Sequence, residues 1–262
     1  MTMVLMLTLL AALFLVGKAQ SEKIAVTLLL NGVILLFATV LMLMGFHAVL
    51  IGWLCILGTS LLTLFYQNGY NQKTAAAFLS LLIVVVLLSF LIWFVCVRAG
   101  LYGLDERNWE EDDVVMLDLH LHINMIRVTY VVIVLGLLGA AKDSAMAVAT
   151  GAYEVYQCHP EMNWQEVFQS GMNIGKDILG VTINTLLFAV IGESVLMIQM
   201  YFDCGYSFSQ LMNSKSLFQS VLVVLTGGIG VELSIPISAL VLSALCSGKL
   251  KLPARKKRAP EK

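Results

Sequence analysis

The chain has 262 residues, 59% of them hydrophobic and 13% charged, with a formal net charge of −1 and a mean hydropathy of +0.88. That balance excludes an ordinary soluble globular domain, and the near-neutral charge carries no signature of a nucleic-acid partner. Apolar runs close to 20 residues long, with no polar block large enough for a second soluble domain, define an all-α polytopic membrane protein whose first partner is the lipid bilayer.

Hydropathy predicts about seven transmembrane helices, at 2–17, 24–46, 48–66, 74–97, 123–152, 178–203 and 217–246. They form a single transmembrane domain, 1–248, followed by a basic tail, 249–262. The first run, MTMVLMLTLLAALFLV, has the length of a signal-peptide core. It lacks a basic flank, and VGKAQS is a poor cleavage site, so it reads as a short transmembrane helix. The turns GFH and QNGYNQK separate the second, third and fourth helices.

An acidic stretch, LDERNWEEDDVVMLD, follows the fourth helix and reads as a solvated connection, or as a lure for cationic partners. Next comes LDLHLHINMIR. Asp118, His120 and His122 suggest a metal, but only Asp118 and His122 share a helical face and no third ligand is evident. No cofactor or metal is therefore expected. HExxH, GxSxG and Walker motifs are absent. The five cysteines are odd in number and without regular spacing, as expected of small hydrophobes rather than disulfides.

The fifth run is interrupted by Lys142 and Asp143, then resumes with small residues to Ala152. Two placements are open: an interfacial pair where a 20-residue helix from Ile123 would end, with the lysine snorkelling, or a pair inside the bundle. Pro160 then breaks the chain, and Asn163 with Glu166 forms a capping pair. Trp164, Val167 and Phe168 give the new helix an apolar stripe, which predicts a helix lying in the inner interface before the chain turns into the sixth span. Gly171-xxx-Gly175 is a close-packing signal, and Asn184 would bond a neighbouring helix. Glu193 lies in the sixth span and Glu232 near the middle of the last, among Gly227, Gly228, Gly230 and Pro236. A charge at mid-bilayer costs about 2.5–3.5 kcal/mol on insertion scales, so such groups tend to mark ion or substrate paths. Lys142, Asp143 and Glu232 are candidates for one cluster.

Seven of the sixteen Lys and Arg lie in GKLKLPARKKRAPEK. That bias predicts a cytoplasmic C-terminus and, with seven spans, an outer N-terminus; Arg98, Arg107 and Arg127 run against it.

GAAKDSAMAVATGAYEV, followed by PEMNWQEVFQSGMNIGKDILGVTINTLLFAVIG, resembles the bacterial YibE/F-like membrane proteins. Their hallmark is a Gly-Ala-x-x-Asp helix with small residues and a Glu, then Ser-Gly-Met-Asn-Ile-Gly-(Arg/Lys)-Asp-Ile-x-Gly and Asn-Thr-Leu. The match marks Asp143, Glu154, Gly171, Asn173, Gly175, Asp177 and Asn184, and extends more loosely from about residue 24 to IPISALVLSAL. Lys142, Glu193 and Glu232 depart from it, standing where apolar or small residues are usual.

Family members often carry an extracytoplasmic domain. The resemblance therefore implies a short, domain-less half of a split pair in the bacterial cell membrane, with a related subunit supplying that domain. A more distant resemblance is to SecD, SecF and RND-type membrane domains. By that similarity Asp143, inside the bundle, would carry protons, with Asn184 beside it and Lys142, Glu232 or Glu193 as further candidates. The expected function is proton-coupled export or extraction of an unspecified substrate at the outer face. A scaffold subunit and an intramembrane lipid-modifying enzyme are the alternatives.

Overall fold

The computed structural model describes residues 2–17, 20–101 and 124–247. Asp118, His120, His122 and the basic tail lie outside the described residues, among which no strand occurs. The helices in chain order are α1 (Thr2–Gly17), α2 (Ser21–Leu43), α3 (Ala48–Leu61), α4 (Gln72–Ala99), α5 (Met125–Cys158), α6 (Trp164–Asp203), the short α7 (Phe208–Met212) and α8 (Lys215–Cys246). A π-helical stretch, Leu62–Gln67, continues α3.

Local signals explain the boundaries. Gly45, Gly69 and Gly205 take positive φ in the turns, where a side chain would be strained. Gly100 ends α4 in the left-handed conformation. Asn71 with Thr74 and Asn163 with Glu166 close capping boxes at the starts of α4 and α6, and the Glu166 carboxylate accepts from the Asn163 N–H at 2.8 Å.

Among the described residues six helices are long and apolar enough to cross a membrane: α2, α3 with its π continuation, α4, α5, α6 and α8. Seven were expected. The first apolar run forms the 16-residue α1, about 24 Å long at 1.5 Å per residue and short of a hydrocarbon core of about 30 Å.

The core lies where α4, α5 and α8 meet, and α6 packs on α5 and α8. Small residues set the close approaches. Gly230 leaves no room for a Cβ beside Leu137, Gly175 none beside Ile235, and a Cβ on Gly171 would come within 2.8 Å of Ala239. In a bilayer such contacts hold helices together, because lipid tails are as apolar as leucine. At one level of this core Ser238 donates to the Ala145 carbonyl at 3.0 Å, and its Oγ lies 3.1 Å from that of Ser80. Pro236 stays within α8. It has no N–H to offer the Glu232 carbonyl, a loss that packed membrane helices tolerate.

Two expectations are corrected. The fifth helix, expected over 123–152, runs 34 residues, Met125–Cys158, with no break at Lys142, so the charged pair sits near its middle. The chain also makes no turn between an interfacial helix and the sixth span. Trp164–Asp203 is one helix of 40 residues, about 60 Å long. Gly171 and Gly175, which might have loosened it, are pinned against α8.

Candidate functional site

Where α3 passes into its π-helical stretch, α5 stands apart from it and a groove of about 470 Å³ opens. Its walls are Thr63, Gln67, Asn68 and Lys73 on one side, and Lys142, Asp143, Met146 and Thr150 on the other. π-helical turns are rare and frequently occur at functional sites. Here the looser winding turns Thr63, Leu64 and Gln67 toward α5. Thr63 is fixed twice, accepting from Asn31 Nδ2 at 3.1 Å and donating to the Thr59 carbonyl at 2.7 Å.

At one end of the groove Lys73 and Glu154 approach to 4.0 Å. Asp143 is about 16 Å along the axis of α5 from Glu154. The serine contact gives the same depth independently: Ser80 is about 12 Å into α4 from Gln72, level with Ala145, and Asp143 lies about 3 Å further in. Half of a 30 Å hydrocarbon core is about 15 Å. The groove therefore leads from one end of the bundle to a carboxylate near mid-depth.

Asp143 is not enclosed by its own chain, against the expectation that neighbouring helices bury it. Lys142 is half-buried and Asp143 exposed. They make no ion pair with each other, because successive helical residues point about 100° apart. Asp143 belongs to an exposed stripe of α5 with Val132, Gly136, Gly139 and Ala147. A Cβ on Gly139 would meet nothing within 4 Å.

The remaining expected residues are dispersed. Glu232 is exposed on α8 and does not line the groove, so the structure does not assemble the proposed Lys142–Asp143–Glu232 cluster. Asn184 is exposed on α6 and also stands outside the lining. Glu193 is on α6. Asn173 is exposed and accepts from Gln169 Nε2 at 3.2 Å, and Asp177 is likewise exposed. Gly171 and Gly175 pack against α8, as their spacing implied. Glu154 is the partner of Lys73 at the groove's end. The five cysteines are free, with Cys55 and Cys96 buried.

Sequence reasoning missed Asn31, Thr63, Gln67, Asn68 and Lys73. Asn31 interrupts LLLNGVILL, a polar group in an apolar run that deserved the question put to Asp143. Gln67, Asn68 and Lys73 were read only as a turn and a topology charge.

A bundle of long apolar helices, with a polar groove running to a carboxylate halfway along one of them, defines the class: a polytopic α-helical membrane protein. Within that class the chain belongs to the YibE/F-like family, whose description, "YibE/F-like protein", matches residues 5–248. No curated protein and no solved structure matches the chain.

Proposed function

We propose that this chain is one membrane subunit of a two-subunit, RND/SecDF-like complex that couples proton movement to export or extraction of a substrate at the outer face. The observation that carries this reading is the position of Asp143, at mid-depth, on an open small-residue face, at the end of a polar groove. Lipid cannot solvate a carboxylate there, and a related partner with a matching face would. The groove supplies a wet route from one end of the bundle, lined by Thr63, Gln67, Asn68 and Thr150. One elementary charge crossing the membrane gains about 2.3 kcal/mol per 100 mV, comparable to the cost of a carboxylate at mid-bilayer. Protonation of Asp143 would remove that charge and shift how the two faces pack. With the C-terminus in the cytoplasm of a bacterial cell membrane, the Lys73–Glu154 end faces inward.

Dicyclohexylcarbodiimide, which couples to protonated carboxyls in apolar surroundings, tests the proposal without a known substrate. Asp143 should be labelled increasingly as pH falls, with Glu232 as an internal comparison. Asp143→Asn should still co-purify with the partner yet abolish potential-driven proton uptake by the complex in vesicles. Full uptake in that variant would refute the role.

A second reading is a subunit that only stabilises its partner. It is favoured by Lys142, a cation lining the same groove beside Asp143. In that case Asp143→Asn would impair assembly, and carbodiimide would leave Asp143 untouched.

A further inference from the structure

At the end of the bundle opposite the Lys73–Glu154 pair, the described residues of α2, α3, α4 and α5 and the turns between them bring together basic side chains and no carboxylate. Among their described residues the carboxylates are Glu22, Asp143 and Glu154, none of them at this end, whereas His47, Arg98 and Arg127 all are. Arg98 lies over the Phe94 ring at 5.6 Å. No carboxylate of the described residues pairs with Arg127, in the first turn of α5. Arg127 and His47 both line a small pocket of about 150 Å³ that also takes in Asn124.

Two apolar crevices run inward from this point, one on each side of α3. The first, about 250 Å³, lies between α2 and α5 and is walled by Leu35, Ala38, Met42, Val128, Val132 and Leu135. The second, about 470 Å³, is walled by Val49, Trp53, Val86, Phe90, Trp93 and Tyr130, and has His47 and Arg127 at its mouth. Met42 is shared by the first crevice and the small pocket. Each crevice is about 10 Å deep, from Met42 to Leu35 on α2 and from Trp93 to Val86 on α4. Trp93 and Tyr130 stack edge-to-face, centroids 5.4 Å apart, beside the mouth of the second; such rings favour the headgroup level.

We infer that this end holds one anionic phospholipid, its phosphate between Arg127 and His47 and its two acyl chains astride α3, one in each crevice. Charge and shape select that occupant together. A phosphate satisfies a guanidinium that the described chain leaves unpaired. Two apolar slots diverging from one cation match a molecule with two tails on one charged head. The site also accounts for a topological oddity, because Arg98 and Arg127 are two of the three arginines that run against the positive-inside bias.

The test is lipid retention by the purified full chain, reconstituted with phosphatidylglycerol or phosphatidylcholine of equal chain length, then washed in mild detergent and quantified by mass spectrometry. The expected result is about one phosphatidylglycerol per chain and several-fold less phosphatidylcholine. Arg127→Gln should lower phosphatidylglycerol retention about fivefold, the weight of one basic residue against an anionic lipid. Arg127→Lys should restore part of it, and His47→Gln gives a second readout if Arg127→Gln fails to fold. Ser89→Trp, which fills the second crevice without touching a cation, should also reduce retention. Equal retention of the two lipids, or no change in any variant, would mean ordinary surrounding lipid and overturn the proposal. Displacement by millimolar inorganic phosphate would point to a free-anion site and overturn it equally.

Discussion

At the scale of single residues, what separates function from packing in this chain is whether a side chain has a partner within it. Gly175 has one: Ile235 occupies the space where a Cβ would go. Gly175→Leu should overpack this contact and cost about 1–3 kcal/mol, lowering the temperature at which the detergent-solubilised protein loses its monodisperse peak. Gly139→Ala, where a Cβ meets nothing, should instead raise that temperature slightly, by removing backbone freedom from the unfolded chain. Asp143 is the opposite case, a charge for which the described residues supply no answering group within ion-pair distance. Its candidacy was legible from the sequence because an Asp in an apolar run is conspicuous. Its exposure was not, because a 3.6-residue period places a residue on a face without saying what packs there. Neutral Thr63 was harder still, since threonine is unremarkable in an apolar helix and gains a role only from the π turn.

At the scale of elements, six of the seven expected apolar runs became membrane-length helices, five of them within about six residues of their expected bounds, because length and hydropathy are read directly. The miss came at α6. The capping box at Asn163 forms as read from the sequence, but the turn expected before a span at 178–203 does not, although Lys176, Asp177 and Gly180 lie there. All three are exposed, and the helix passes through them unbroken. Continuity makes a signed prediction. An added Cβ at Gly180 meets nothing within 4 Å, so Gly180→Ala should raise stability by about 0.5–1 kcal/mol by removing backbone freedom from the unfolded chain. Gly180→Pro should cost about 3 kcal/mol. A hinge at this position would erase the first effect and shrink the second, and thermal melts of the two variants would reveal it.

At the scale of the whole molecule, the bundle is unevenly clothed. α4, α5 and α8 bury about half of their most apolar windows, while the corresponding window of α6 is 6% buried and that of α2 17%. The Asp143 stripe of α5 and the Glu232 side of α8 are two separate exposed faces bearing carboxylates. A partner subunit on the α5 face would bring Ala147, exposed and one turn from Asp143, within reach of a second chain. In a background lacking the exposed Cys158 and Cys204, Ala147→Cys should crosslink to another polypeptide in native membranes. Leu36→Cys, exposed on peripheral α2, should not. Mass spectrometry of the crosslinked species separates a related subunit from a second copy of this chain. Capture of neither would leave the α5 face without the covering partner that the proposal requires.

The π-helical stretch Leu62–Gln67 carries one further consequence. A π turn accommodates an extra residue, so a single deletion between Leu62 and Gln67 would let the backbone relax to ordinary α-helical winding. Everything after the deletion would then swing by about 100° relative to everything before it. Gln67 and Asn68 would leave the groove wall while the apolar character of the span stayed almost the same. Length and hydropathy would register nothing, yet the polar approach to Asp143 would lose one side. The insertion thus acts as a keyway: one residue of surplus chain, invisible to composition, aligns the two halves of the groove.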